Sequence, residues 1–129
     1  MTMLKKFYDY TEKAGFAKND IQEEKGDNFT LLSFFEEGEK DIMYNVTLVF
    51  YDDDSVEVYV RKQIHQVDVS SVLQKLNELN IQYCGVVFLI ADDMLTVKSY
   101  VKTMGNIESL LKEMVQDMKL AQLEFVNFK

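Results

Sequence analysis

Proline is absent from the 129 residues, cysteine and histidine occur once each, and the five glycines stand apart from one another. Each scarcity excludes something. Without proline, a low-complexity tract or a fixed repeat, nothing marks a linker or a solenoid, so residues 1–129 read as a single domain. The lone Cys84 cannot close an internal disulfide. Gly15, Gly26, Gly38, Gly85 and Gly105 are too scattered to build the glycine-rich turn that cradles nucleotide phosphates. No apolar run approaches the ~18 residues a membrane-spanning helix needs. The opening Met1-Thr2-Met3-Leu4-Lys5-Lys6 also lacks the apolar stretch of a secretory signal. The expectation is a cytoplasmic protein without a membrane partner.

What is present is an ordinary globular composition, 47% hydrophobic and 28% charged. A chain of this size buries roughly 68% of its unfolded surface, enough for a core without metal or disulfide. Its net charge of −8 opposes binding to nucleic-acid phosphates or anionic lipid. The imbalance is one-sided: residues 1–60 hold fourteen acids and six lysines, residues 61–129 eight acids and eight bases. Surplus carboxylate keeps small domains soluble, and it also attracts basic partners.

Hydrophobic spacing sets the elements. Thr2 caps a first helix over Met3–Ala14, carrying Leu4, Phe7, Tyr8 and Thr11 at helical intervals, and Gly15 stops it. Three strands follow, Phe29–Phe35, Met43–Tyr51 and Val56–Lys62. In the second, Tyr44, Val46, Leu48 and Phe50 share the core face; in the third, Val56, Val58 and Val60 do. Matching those faces puts Phe50 opposite Val58 and Leu48 opposite Val60, with Asp53-Asp54-Ser55 as the turn, Val49 beside Tyr59 and Thr47 beside Arg61. Asp68 caps a second helix over Val69–Asn80 with Val69, Val72, Leu73, Leu76 and Leu79 as its stripe. A hairpin of Val86–Ile90 and Leu95–Val101 turns at Asp92-Asp93, pairing Ile90 with Leu95 and Phe88 with Val97. Its first strand is apolar on both faces, which calls for a central place in the sheet or a partner's cover. Asn106 caps a last helix over Ile107–Phe125. The fold class is α+β: an antiparallel β-sheet packed by helices, in the order αβββαββα.

No constellation of residues adds up to a catalytic site. Asp52-Asp53-Asp54 fails as a calcium loop, since Glu57 stands where glycine is needed and Gln63 where a bidentate Glu belongs. Asp92-Asp93 and Glu36-Glu37-Gly38-Glu39 read likewise as solvated turns. His65 and Cys84 would need a third positioned group to act as a nucleophilic pair, and Cys84 at the mouth of an apolar strand reads as a small buried hydrophobe. One His and one Cys are too few for zinc. Neither an enzyme, a metal nor a cofactor is expected. Tyr51, Tyr59 and Tyr100 fall on the polar face of the sheet, where tyrosine suits a surface apolar at one end and wet at the other. They are the candidate protein-binding surface. Met114 and Met118, one helical turn apart, read first as core filler.

Leu4 and Phe7 on the opening helix, the hairpin from Met43 to Lys62, the helix Val69–Leu79, the hairpin from Val86 to Val101 and the helix from Ile107 together resemble the type III secretion chaperone-like fold. They also resemble the YbjN-like family of bacterial regulators. The resemblance covers nearly the whole chain and rests on topology rather than on a motif. It implies a homodimer that binds segments of other proteins, with Val72, Leu76, Val87 and Leu89 as the dimer interface and no catalytic residues. The expected function is therefore a non-enzymatic, chaperone-like or regulatory protein-binding domain whose protein partner is unidentified. The alternative is an acidic immunity or inhibitor protein that neutralises a basic toxin or nuclease.

Overall fold

The computed structural model describes residues 2–65, 68–126 and 128. Helix α1 (Met3–Lys13) begins where the Thr2 hydroxyl accepts the Lys5 N–H at 3.2 Å, and Ala14 serves as its C-cap before Gly15 turns to φ +85°. The polar stretch that follows contains a strand the periodicity did not signal, β1 (Gln22–Lys25), whose four residues are all exposed. Pairing with the next strand is what makes it extended. Then come β2 (Phe29–Glu37), β3 (Met43–Tyr51), β4 (Ser55–Gln63), α2 (Val69–Gln82), β5 (Val86–Ala91), β6 (Met94–Lys102) and α3 (Ile107–Phe125). The α+β class and the expected series of elements are found, with β1 added.

All six strands form one antiparallel sheet in the order β1-β2-β3-β4-β6-β5. Its inner face carries rows of apolar side chains, among them Phe34, Val46, Val60, Val97 and Phe88 in register across five strands. The helices bury that face. Phe7 of α1 meets Phe34 and Phe50 at ring distances of 6.3 and 5.7 Å, and Phe125 of α3 stands edge-on to Phe88 at 6.0 Å. Only Val72, Leu76 and Leu79 of α2 are buried; Val69 and Leu73, expected in its stripe, face solvent because α2 lies along the β5 margin and has sheet beneath one side alone.

The first hairpin is shifted by two residues from expectation. Phe50 pairs with Val56, Leu48 with Val58, Thr47 with Tyr59 and Asn45 with Arg61, so Asp52-Asp53-Asp54 is the turn. A three-residue hairpin places its last residue in the left-handed region, and Asp54 at φ +64° tolerates that better than Ser55 would. A shift of two keeps every side chain on its own face. In the second hairpin Ile90 pairs with Leu95 and Phe88 with Val97, around Asp92 and Asp93 at φ +52° and +58°. The strand apolar on both faces, β5, is at the sheet edge and not central.

A lysine and an aspartate sit inside this core. Lys62 is 8% exposed, and its ammonium donates to the carbonyls of Phe125 and Phe128 at 2.8 and 2.6 Å, so a cation completes the C-terminal end of α3. Desolvation lowers its pKa. Asp117 on α3 is fully buried and accepts from the Ser99 hydroxyl, while its Oδ1 has no donor among the described residues. Burial, and the Glu113 carboxyl one turn earlier, push Asp117 up to about 8. As a neutral acid, Asp117 can donate toward Glu113, which accounts for an oxygen that finds no donor.

Replacing Lys62 by Met should leave the end of α3 without its cap and cost about 1–3 kcal/mol in urea unfolding. For Asp117 the folded state holds a proton that the unfolded chain releases near pH 4. Its contribution is complete below that pH and is lost as pH rises toward about 8. Asp117→Asn should flatten the fall in urea midpoint between those limits and stabilise the protein above pH 8; an unchanged profile would mean the carboxyl does not titrate in the fold.

Candidate functional site

Because every helix takes the inner face, the outer face of the sheet is left open, and alternation along the strands decides what it displays. Across it run Phe35, Asn45, Arg61, Thr96 and Leu89 in one row, Ser33, Thr47, Tyr59, Lys98 and Val87 in the next, and Leu31, Val49, Glu57 and Tyr100 in a third. Phe35, Tyr100 and Val87 are 64%, 57% and 50% exposed. Three of the seven tyrosines and the only arginine of the chain are on this face. Tyrosine and arginine are the side chains that most often anchor protein interfaces.

Two polar networks hold the centre of the face rigid. Asn45 donates to the Ser33 hydroxyl at 2.8 Å, and its Oδ1 accepts from Thr47 at 2.8 Å and from both Nε and Nη2 of Arg61 at 3.1 and 2.7 Å. Beside it, Glu57 accepts from the hydroxyls of Tyr51 and Tyr59 and pairs with Lys98 at 3.0 Å. The Lys98 ammonium stands 5.5 Å from the centre of the Tyr59 ring. Burial raises the Glu57 pKa, but hydrogen bonds from Tyr51, Lys98 and Tyr59 outweigh it and leave the carboxyl below its ordinary value. Donation to Glu57 pushes the Tyr51 phenol up to about 12. Glu57, Tyr51, Tyr59 and Lys98 thus satisfy one another within a preformed surface.

Tyr51, Tyr59 and Tyr100 are thus brought together, around Glu57: Tyr100 is its register neighbour on β6, and the other two are hydrogen-bonded to it. The four residues expected at a dimer interface are divided. Val72 and Leu76 are buried under α2 on the inner side, whereas Val87 and Leu89 are on the outer face beside Lys98 and Thr96. A helix packed on one face of a sheet and alternate residues of a strand beneath it cannot form a common patch, so only Val87 and Leu89 remain available. Cys84, expected to be buried, is exposed in the turn before β5, and His65 is exposed after β4. No hydrogen bond joins the two among the described residues, and none of the described His, Cys, Asp and Glu gather as a metal-binding group.

A concavity of about 310 Å³ opens on the helical side between α1 and α3. Its floor is Phe34 and Val46, its walls include Phe16, Met114 and Met118, and Glu36 and Lys119 stand at the mouth. Met118 is core, as expected, but Met114 is only half-buried and faces this groove. No described helix is long and apolar enough to cross a membrane.

Glu57→Ala should release Tyr51 and Tyr59, and tyrosinate absorbance should show both phenols titrating earlier, Tyr51 moved from about 12 toward its ordinary value near 10. An unmoved titration would mean that the Tyr51–Glu57 bond does not form in solution. In comparisons with known proteins, no family model, curated protein or solved structure matches this chain.

Proposed function

We propose that this chain is a non-enzymatic protein-binding domain, chaperone-like or regulatory, of the type III secretion chaperone-like or YbjN-like class, acting as a homodimer on segments of other proteins. The single observation that carries the reading is the open outer face, where Tyr51, Tyr59 and Arg61 are held by satisfied polar networks and the exposed Tyr100 stands opposite Glu57 on the neighbouring strand. Rigid aromatic and arginine side chains lose little entropy on binding. Charge favours a second copy at the β5 end. There Val87, Leu89, Thr96 and Lys98 include no acid, so two chains of net charge −8 can approach without opposing carboxylates. The tyrosines, toward β3 and β4, would take the partner segment.

The acidic-inhibitor reading has its own support. Glu23 and Glu24 on the β1 edge, and Glu36, Glu37, Glu39 and Asp41 around the β2–β3 connection, are all exposed, which suits a basic partner.

Sedimentation over a range of concentrations should give a dimer that persists in high salt, and Val87→Glu with Leu89→Glu should convert it to a folded monomer. A wild-type monomer at every concentration, or a dimer indifferent to both substitutions, would sink the homodimer reading. For the partner site, Tyr59→Ala and Tyr100→Ala should each weaken binding of unfolded model polypeptides by about tenfold. Binding confined to basic polypeptides and abolished by salt would favour the inhibitor instead.

A further inference from the structure

An open sheet has two edges, and this one treats them differently. β1 is four residues long, Gln-Glu-Glu-Lys, and wholly exposed. A short, charged strand is the usual defence against pairing with another chain. β5, at the opposite edge, is six residues, Val-Val-Phe-Leu-Ile-Ala, with no charge, proline or glycine. That composition pairs readily with a further strand.

In an antiparallel strand, successive residues turn their backbone N–H and C=O to opposite sides. The Phe88 N–H donates to Asn80 Oδ1 at 2.6 Å, and the Asn80 amide donates to the Phe88 carbonyl at 2.9 Å. Phe88 therefore points its backbone away from β6, and by alternation so do Val86 and Ile90. The carboxamide supplies one acceptor and one donor, the pair of contacts a neighbouring strand would offer. It is held there by α2, which is anchored through Leu76 and Leu79.

We infer that Asn80 is a guard on a latent strand-pairing site. It fills the central hydrogen-bonding position of the β5 edge and closes that edge to the strand it would otherwise accept, the β5 of a second copy. Self-pairing fits because β5 is self-complementary about Phe88. A two-fold axis there sets Val86 opposite Ile90 of the second copy and Val87 opposite its Leu89, apolar against apolar on both faces. The uncharged strand also brings no carboxylates together. This edge consists of backbone groups and is distinct from the outer face, whose side chains serve the proposed dimer; the guard steers two copies toward the face and away from the edge.

The test is sedimentation velocity on the full chain, together with amide hydrogen exchange at Phe88. Asn80→Ala should exchange Phe88 at least tenfold faster in dilute solution and, as concentration rises, form a species of twice the wild-type mass. Adding Val86→Pro, which removes an outward N–H that β6 does not use, should return the wild-type mass. Asn80→Asp, which keeps the acceptor and loses the donor, should fall between and provides the reading if the alanine variant does not fold. Wild-type mass at all concentrations for folded Asn80→Ala or Asn80→Asp overturns the inference, as does a heavier species that Val86→Pro leaves intact. Because wild-type sedimentation alone reports on the outer face, failure here leaves that reading standing, and failure there leaves this one.

Discussion

Three helices and one sheet can share a core only if every strand between the edges is apolar on the side the helices cover. That requirement organises the molecule. It is met by rows such as Phe34, Val46, Val60, Val97 and Phe88, which continue across strands far apart in sequence. Once the helices have all gone to one side, the other side must hold itself together without a cover. It does so with cross-strand polar contacts around Asn45 and Glu57. The same constraint therefore builds the core and leaves the surface on which the functional reading rests.

The buried lysine and aspartate show how context decides what a charge does. Lys62 brings its cation to the carbonyls of Phe125 and Phe128, at and just beyond the end of α3, so burial is offset by charge-assisted hydrogen bonds. Asp117, on the same helix but facing Ser99, meets one donor and a like-charged neighbour, so it is favoured as the neutral acid. Neither lies on the outer face. They bear on how the fold holds, and the tyrosine–arginine surface is the one on which the proposed function rests.

The β5 hairpin joins fold and function. A strand apolar on both faces would be unremarkable in the centre of a sheet, but here it is at the edge, with Val87 in solvent on one side and free backbone groups along its margin. Natural sheets answer such an edge with charge, a bulge or a cover. This one places the side chain of Asn80 against Phe88 and leaves Val87 and Leu89 displayed, so contact with another molecule is directed toward side chains.

Much of this was legible along the chain. Periods of two and 3.6 residues, with Thr2, Asp68 and Asn106 as caps, marked the elements and their apolar faces to within one or two residues at most ends, and placed Tyr51, Tyr59 and Tyr100 on the polar side. These are local properties, set by backbone geometry and side-chain hydropathy. What lies between distant segments was not legible. β1 carries no alternation and is a strand only because β2 is beside it; the hairpin register turned on whether Asp54 or Ser55 takes a left-handed φ. Strand order put β5 at an edge, and packing divided Val72 and Leu76 from Val87 and Leu89. A periodic pattern states which side of an element is apolar, but not which neighbour it meets; that choice belongs to the tertiary fold, because it minimises exposed surface over the whole chain at once.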